Sequence, residues 1–380
     1  MKKLLIIVPT LCLGGQERVA VNMAHIMKKD YDVSIAVFDS RNAAYSADCE
    51  IIDLKIPAAP GTLEKMKNAL MRAIALRKLR HERKIDFCIS LGPTANLVNV
   101  LSRGRGRTVV RTSCYADCAG GWLNRYIFGH CDRAICCSEK IRQTLVADLG
   151  VPTQKAVTVY NPFDVGALLC CGNEDVADHT FSGHTIGAHG RLDAVKNYAR
   201  LIKAFSLVHE QIPDTQLLII GEGALRPKLE SLIERYGLSG CTALPGFRTN
   251  PFSYLRRCSL YVLPSYFEGF PNALVEGMCF LPAVAADCKS GPREILSSGP
   301  VDAVCGGIEE ADYGILIRPS DESEGWIEEI TEDDRILAKA ILRLLRDPRK
   351  SGEYQKRALE RAREFSFERF HENIARVLEE

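Results

Sequence analysis

Short apolar runs alternate with helical patterns along the whole chain. The runs span four to seven residues and are rich in Val, Ile and Leu, which is typical of strands buried on both faces of a parallel sheet. One series lies at 4–10, 32–38, 49–54, 86–91, 108–113, 133–138 and 156–161, and a second lies at 185–190, 215–221, 241–245, 260–264, 282–287 and 314–317. Helical stretches separate most of these runs. One is 17–29, whose predicted apolar face is Val19, Ala20, Met23, Ala24 and Met27.

The alternation predicts an α/β protein with two doubly wound domains in tandem. Only the stretch 162–184 lacks both the strand and the helix period, so it is the predicted interdomain linker. We expect a first domain over 1–165, a linker over 166–184, a second domain over 185–362, and a final helix over 363–380 that packs back on the first domain. Ligands in such sheets bind at the carboxyl ends of the strands, here facing a cleft.

The composition bears on membrane spans, cellular compartment, disulfides and bound metals. No run approaches the roughly 18 consecutive apolar residues that a membrane span needs. The first strand follows Lys2 and Lys3 but leads to no small-residue cleavage site, which favours a buried strand over a signal peptide and predicts a cytoplasmic protein. The fifteen cysteines contain no C-x-x-C pair, so we expect neither a disulfide framework nor a bound metal.

The net charge of +1 hides an uneven distribution. Residues 1–170 contain 24 Lys and Arg against 15 Asp and Glu, a balance of +9. Residues 171–380 contain 25 against 33, a balance of −8. The basic half is therefore the candidate for an anionic partner.

Much of this positive charge falls in a predicted helix over 62–84. Its apolar stripe is Leu63, Met66, Leu70 and Ile74, with the stem of Arg77. Its remaining basic residues are Lys65, Lys67, Arg72, Lys78, Arg80, Arg83 and Lys84, and Arg103, Arg105 and Arg107 follow. Either the stripe packs on the sheet, or the helix docks on anionic lipid or on the diphosphate of a polyprenyl-linked acceptor. We predict peripheral contact with an anionic membrane, and no nucleic acid, because no aromatic residues interleave with the charges.

Three motifs carry candidate chemistry. Gly14 and Gly15 follow the first strand and open a helix, where free N–H groups favour an anion such as a diphosphate. Arg191 and Lys196 lie where the first strand of the second domain gives way to a helix, so they can converge on a diphosphate and do the work of a metal ion. Each motif alone also fits an ordinary turn or a solvated rim.

The third motif is the segment EGFPNALVE at 268–276. Pro271 suits the first turn of a helix, and Gly269 permits a close backbone approach just before it. Glu276 lies on an otherwise apolar helical stretch, so its carboxylate needs a partner, and two ribose hydroxyls would provide one.

This ordered set of motifs resembles the retaining glycosyltransferases of family four. Their hallmark is two glutamates separated by seven residues, matched by Glu268 and Glu276, and their G-R-L-x-x-x-K lysine falls on Lys196. Weaker matches are Gly14-Gly15, Tyr160-Asn161-Pro162, Gly221-Glu222-Gly223, Pro245-Gly246-Phe247 and Gly291-Pro292-Arg293-Glu294. The resemblance covers essentially the whole chain and implies the GT-B fold, in which two Rossmann-like domains face a cleft.

The resemblance also implies roles for individual residues. Arg191 and Lys196 would grip the donor diphosphate, Glu276 would bind the ribose, and the backbone at Phe247 would meet the base. Glu268 would lie beside the transferred sugar, with the backbone of Gly269, Phe270, Pro271, Asn272, Ala273 and Leu274 along the sugar and diphosphate. Many relatives carry a histidine near the reacting sugar where this chain has Arg111. Either Arg111 replaces that contact or the acceptor side differs. We expect His189 to be a core or cleft-wall residue.

The predicted function is retaining, metal-independent sugar transfer that needs no cofactor. By resemblance, the donor is a nucleotide sugar, UDP-linked, that carries a hexose or an N-acetylhexosamine. The acceptor is a glycan or a polyprenyl-diphosphate-linked glycan of cell-surface polysaccharide synthesis, at the inner face of the cytoplasmic membrane. A nucleotide-sugar 2-epimerase of the same architecture is the alternative, although the EGFPNALVE segment argues against it. A non-catalytic interaction protein is expected to have lost Arg191, Lys196 or Glu276, and all three are present.

Overall fold

The computed structural model describes residues 1–12, 14–118, 120–181, 183–321 and 326–380. The chain forms two compact units. The first comprises Met1–Pro162 together with Phe365–Glu380, and the second comprises Phe163–Glu364. The corresponding predicted boundaries were residues 165 and 362.

The first unit is built on a parallel sheet of seven strands in the order β3-β2-β1-β4-β5-β6-β7. The strands are β1 Lys2–Val8, β2 Tyr31–Val37, β3 Glu50–Asp53, β4 Phe87–Leu91, β5 Arg107–Thr112, β6 Arg133–Cys136 and β7 Ala156–Thr158. All seven predicted strands are confirmed to within three residues. The central strand β1 shows why the pattern was readable, because its residues from Leu4 to Val8 are buried on both faces of the sheet.

Helices cover both faces of this sheet. They are α1 Gly15–Met27, α2 Thr62–Glu82, α3 Pro93–Leu101, α4 Trp122–His130 and α5 Glu139–Leu149, with a 3-10 turn at Tyr115–Cys118. The apolar face predicted for the first helix is buried, as expected. A final helix, Phe367–Glu379, packs its Phe370, Ile374, Val377 and Leu378 into the same core as β1 and α1. Arg107 fixes its end, because Nη1 donates to the carbonyl of Leu378 at 2.9 Å.

The second unit is built on another seven-stranded sheet, in the order β10-β9-β8-β11-β12-β14-β13. Its strands are β8 His184–His189, β9 Thr215–Ile220, β10 Thr242–Ala243, β11 Leu260–Leu263, β12 Ala283–Ala286, β13 Ile308–Glu310 and β14 Ile315–Ile317. Its helices are α6 Val165–Cys171, α7 Tyr198–Gln211, α8 Arg226–Arg235, α9 Phe252–Leu255, α10 Asn272–Met278, α11 Pro292–Leu296, α12 Glu332–Leu345 and α13 Pro348–Arg363. The final helix of the chain is therefore α14. Among the described strands, only β13 pairs antiparallel, and the sequence pattern did not predict it.

The predicted linker, 166–184, is partly wrong. It contains most of α6, whose seven residues are too few to reveal a helical period, and Asp164 caps the helix by accepting from the Ala167 N–H at 2.9 Å. Asp178, further along, accepts from Tyr254 and Arg248, both at 2.5 Å. Apart from Ser182, which lies outside the described residues, this stretch is therefore tied to the second unit.

Candidate active site

In the first unit, Gly14 and Gly15 lie at the turn from β1 to α1, as predicted. Gly14 is the N-cap of the helix and has no side chain to cap the first backbone N–H groups. Gln16 follows in the first turn, and its buried Nε2 has no acceptor among the described residues. The helix start can therefore donate to an anion. Sequence reasoning did not single out Gln16, because a lone Gln in a helix carries no specific signal.

In the second unit, the carboxyl ends of three adjacent strands are lined by glycine. The Gly190 N–H donates to the Ile220 carbonyl at 2.9 Å, and the Gly221 N–H donates to the Gly246 carbonyl at 3.0 Å. A Cβ atom on Gly221 would lie 1.9 Å from the Gly190 carbonyl oxygen, so no side chain fits there. The missing side chains let these loops approach one another closely at the strand ends. Phe247, next to Gly246, is 55% exposed.

Lys196 and Glu268 are 72 residues apart in sequence and form an ion pair. The Lys196 Nζ lies 2.7 Å from the Glu268 Oε1, and both side chains are mostly buried. The Ser265 hydroxyl donates to the same oxygen at 2.7 Å. The turn that carries Lys196 is fixed as well, because Asp193 caps it and the Tyr266 N–H donates to the Val195 carbonyl at 2.9 Å. The two residues predicted to flank the diphosphate and sugar are thus brought together.

Arg191 behaves differently from Lys196. Its side chain is 79% exposed, and its Nε lies 3.1 Å from the Asp193 Oδ2. The predicted convergence of Arg191 and Lys196 on one anion is therefore not formed in this structure. Each cation is instead engaged with its own carboxylate, and only Lys196 is buried.

The EGFPNALVE segment forms a loop followed by α10. Pro271 immediately precedes the helix, whose first residue is Asn272. The segment 290–291 packs against this loop. The Ser290 hydroxyl donates to the Gly269 carbonyl at 2.6 Å, and a Cβ atom on Gly291 would lie 2.5 Å from the Pro271 Cδ. Phe270 and Leu274 are buried, so Gly269 to Leu274 can present backbone but not these two side chains to a ligand.

Glu276 is buried in α10 and has a protein partner that the sequence did not reveal. Its Oε2 lies 2.8 Å from the Nε2 of His189, the last residue of β8. The His189 ring packs edge-on against Tyr261, with ring centroids 5.5 Å apart. His189 is therefore a buried residue, as predicted, and it also holds the carboxylate expected to bind ribose.

The Gly291-Pro292-Arg293-Glu294 motif supports the site through a buried ion-pair network. Arg293 Nη2 lies 2.6 Å from the Asp287 Oδ2 and 2.8 Å from the Glu309 Oε2. These two carboxylates raise the pKa of Arg293 despite its burial, which keeps the guanidinium charged. The network anchors the loop after β12 that carries Ser290.

The prediction that Arg111 takes the place of a substrate-contacting histidine is not supported. Its side chain is fully buried, donating to the Asn161 Oδ1 at 2.6 Å and to the Ser113 hydroxyl at 3.0 Å. Burial lowers the pKa of its guanidinium. Arg111 therefore ties β5 to the segment after β7 within the core of the first unit.

The apolar stripe of the basic helix α2 does not pack on the sheet, which was one of the two predicted alternatives. Leu63, Met66, Leu70, Met71 and Ile74 are exposed, and Leu63 reaches 84%. The buried face of α2 instead carries Ala73, Leu76 and two arginines. Arg72 lies over the Phe38 ring at 4.4 Å, and Arg80 donates to backbone carbonyls of the loop before β5. The stripe thus faces solvent, and Arg72 and Arg80 are unavailable to a partner.

The arginines that follow α2 are also mostly engaged. Arg103 pairs with Asp132 at 3.0 Å, and Arg107 holds the end of α14. Among the described residues, no helix is both long and apolar enough to cross a membrane. Within the same described ranges, no three His, Cys, Asp or Glu side chains are arranged to hold a metal ion.

Comparisons with known proteins place this geometry in a family. The family model "Glycosyl transferases group 1" matches residues 182–365, and the model "Glycosyltransferase Family 4" matches residues 13–166. In Campylobacter jejuni, N-acetylgalactosamine-N,N'-diacetylbacillosaminyl-diphospho-undecaprenol 4-alpha-N-acetylgalactosaminyltransferase is 25% identical over 354 residues, covering 88% of this chain and 92% of that protein.

Solved structures give the fold. Anabaena HepE in complex with UDP superimposes with a TM-score of 0.74 at 17% identity over 99% of both chains. TarM, a Staphylococcus aureus protein, gives a TM-score of 0.76 at 16% identity, covering 100% of this chain and 99% of that one. The protein is a glycosyltransferase of the GT-B fold class. Within that class it belongs to glycosyltransferase family four, as its motifs predicted.

Proposed function

We propose that this protein transfers a hexose or an N-acetylhexosamine from a UDP-linked donor to a polyprenyl-diphosphate-linked glycan, without a metal ion and with retention of anomeric configuration. The observation that carries the proposal is the pair of engaged carboxylates, Glu268 with Lys196 and Glu276 with His189, at the carboxyl edge of the second sheet. The donor assignment draws on the UDP held by HepE, and the acceptor assignment on the diphospho-undecaprenol named for the Campylobacter relative.

Different residues of the second unit bind the diphosphate, the ribose and the base of the donor. The backbone N–H groups within 269–274 and the ammonium of Lys196 donate to the diphosphate, while Arg191 leaves Asp193 to meet the same anion. The Glu276 carboxylate, steadied by His189, accepts hydrogen bonds from the ribose, and the base lies at the backbone of Phe247. Two cations then balance the negative charge that grows on the departing diphosphate, so no metal is needed.

The reaction proceeds by attack on the face that the diphosphate leaves. A carboxylate that pairs with an ammonium and also accepts a hydroxyl hydrogen bond is a weak nucleophile, and Glu268 has both partners. This disfavours a covalent sugar–enzyme intermediate. An oxygen of the departing diphosphate takes the acceptor's proton, the new glycosidic bond forms on the same face, and the configuration is retained.

The first unit attaches to the anionic inner face of the cytoplasmic membrane, where the acceptor is located. The exposed stripe of α2 supports this, because an apolar stripe flanked by exposed Lys65, Lys67 and Lys78 is typical of an interfacial helix. Trp122, 80% exposed at the start of α4, adds a side chain suited to the lipid interface. The first unit carries 26 Lys and Arg against 18 Asp and Glu, a balance of +8.

A panel of nucleotide sugars tests the proposed reaction. The purified protein is incubated with UDP- and GDP-linked hexoses and N-acetylhexosamines, with and without a polyprenyl-diphosphate-linked acceptor, and free nucleotide is measured. We expect UDP release that the acceptor accelerates. Conversion of the donor to its C2 epimer without acceptor would indicate the epimerase instead, and no release from any donor would contradict the transferase proposal.

A further inference from the structure

The second unit contains a cavity beside the proposed donor site. It has a volume of about 320 Å³ and is enclosed by the start of α7, by α8 and by the segments that flank the start of α12. This volume is at the lower end of the roughly 300–1,000 Å³ typical of small-ligand sites. None of the side chains assigned above to the diphosphate, the ribose or the base is among its described lining residues.

Arg200 lines this cavity with unused hydrogen-bond donors. It is 2% exposed, and its Nη2 donates to the carbonyls of Arg318 at 3.0 Å and Asp333 at 2.9 Å. Its Nε and Nη1 have no acceptor within the described parts of the chain. A buried guanidinium with two unsatisfied nitrogens is costly to the fold, so an acceptor in the cavity would remove a real penalty. The Ser320 hydroxyl, also on the wall, is buried and similarly lacks a partner there.

The acidic residues of the wall do not neutralise Arg200 through their side chains. Asp334 pairs with Lys203 at 2.9 Å, Asp333 pairs with Arg318, and Asp193 pairs with Arg191. The exposed Lys228 adds another positive charge at the wall. The described wall carries three cations and three aspartates, and because each aspartate is paired with another cation, Arg200 and Lys228 are the wall cations without a carboxylate ion-pair partner among the described residues.

Another part of the lining is apolar. Leu225, Leu229 and Trp326 line it, and the Lys228 Nζ lies 5.7 Å from the centroid of the Trp326 ring. A ligand that satisfies both parts has an anionic end for Arg200 and a flat or apolar body for Trp326.

We propose that this cavity binds a small phosphate ester. The three terminal oxygens of a phosphate can accept from the Arg200 Nε and Nη1 and from the Ser320 hydroxyl, while Lys228 balances the second charge. A carboxylate offers only two oxygens and one charge, so it fits the donor set less well. Asp193, Ala194 and Asn197 also line the cavity, so the ligand would contact the turn that carries Lys196.

Calorimetry with phenyl phosphate tests this site on the full-length protein. The Lys196→Ala background weakens binding of phosphates at the donor site. In that background we expect saturable binding with one site per chain, tighter than for inorganic phosphate or benzoate. Arg200→Met should weaken it by about tenfold or more, the effect of removing a charged hydrogen-bond donor. Lys228→Met and Ser320→Ala should each weaken phenyl phosphate binding severalfold. These two variants still test the proposal if the Arg200→Met protein does not fold.

The matched control is Lys339→Met, which removes an exposed cation of α12 outside the cavity and should leave phenyl phosphate binding unchanged. The proposal is overturned if the Lys196→Ala protein shows no saturable binding. It is also overturned if the Lys228 and Ser320 variants bind as tightly as their background, or if inorganic phosphate binds as tightly as its phenyl ester.

Discussion

At the residue scale, two buried carboxylates of the second unit already have nitrogen partners before any ligand is bound. Lys196 holds Glu268, and His189 holds Glu276. Fixed partners keep both carboxylates in one orientation, which is the kind of preorganisation that lets electrostatics lower a reaction barrier. In the donor site proposed above, the diphosphate would compete with Glu268 for the Lys196 ammonium.

We predict that Lys196→Ala lowers turnover on the order of 100-fold, because it removes a charge that gains value as the diphosphate departs. The same change leaves Glu268 buried without its cation, which also lowers the free energy of unfolding. The double variant Lys196→Ala, Glu268→Gln removes that second effect. Initial rates and thermal denaturation of both variants, with Lys339→Ala as control, separate chemistry from folding.

The account expects the double variant to regain stability without regaining turnover. Recovery of the wild-type rate in the double variant would mean that the Lys196 effect acts through folding alone. A near-normal rate in the single variant would place the diphosphate elsewhere.

We predict that Glu276→Gln weakens UDP binding by about 1–3 kcal/mol, because the amide keeps only part of the hydrogen bonding to the ribose and to His189. His189→Leu should weaken binding less, because the carboxylate remains but loses its support. Isothermal titration with UDP measures both. An unchanged affinity for the Glu276 variant would remove this residue from the ribose.

At the element scale, α2 has an apolar stripe on its solvent side and a buried side that carries two arginines. The aliphatic stems of Arg72 and Arg80 pack in the core, and their guanidinium groups are satisfied by carbonyls, a hydroxyl and an aromatic ring. A contiguous apolar helix face exposed to solvent is uncommon on a protein surface and typically marks a contact with a protein partner or a membrane.

We predict that the combined variant Leu63→Ser, Met66→Ser and Leu70→Ser loses most of its binding to anionic vesicles, while Val304→Ser, an equally exposed apolar position of the second unit, keeps it. Binding of the wild type should also weaken as salt rises, since exposed charges are screened over roughly 8–10 Å. Co-sedimentation with vesicles with and without anionic lipid, at low and high salt, measures this. Equal recovery in the supernatant under all conditions would leave the acceptor as a soluble sugar.

The elements also show what sequence patterns can and cannot predict. The thirteen predicted strands were readable because doubly buried parallel strands must be continuously apolar. The short α6 and the edge strand β13 were missed because neither is long enough to show a period, and β13 carries Glu309 and Glu310. The orientation of α2 was unreadable because its buried arginines look like surface residues in a sequence.

The candidate active site also has features that the sequence could predict and features that it could not. The spacing of Glu268, Glu276 and Lys196 identified the family, and the structure brings Lys196 and Glu268 together. The partners of these residues were not predictable, because His189 meets Glu276 across 87 residues of chain. Arg111 shows the opposite error. Its position matched that of a histidine near the reacting sugar in relatives, but its acceptors Asn161 and Val159 lie about fifty residues away in sequence and the side chain is buried.

At the scale of the whole molecule, the two units differ in charge. The first has the balance of +8 given above, and the second has 23 Lys and Arg against 30 Asp and Glu, a balance of −7. The basic unit carries the exposed α2 stripe, and the acidic unit carries the two ion pairs, Lys196–Glu268 and His189–Glu276, that we propose bind the donor. The proposed attachment to an anionic surface therefore involves the first unit and leaves the second repelled from it.

The central claim is metal-independent transfer with retention, and the anomeric configuration of the product tests it most directly. The protein is supplied with its UDP-sugar and the polyprenyl-diphosphate-linked acceptor in excess EDTA, and the product's anomeric proton is read by nuclear magnetic resonance. We predict full activity under chelation and a product linkage with the same anomeric configuration as the donor. An inverted linkage, or activity lost in EDTA and restored by manganese, would contradict it.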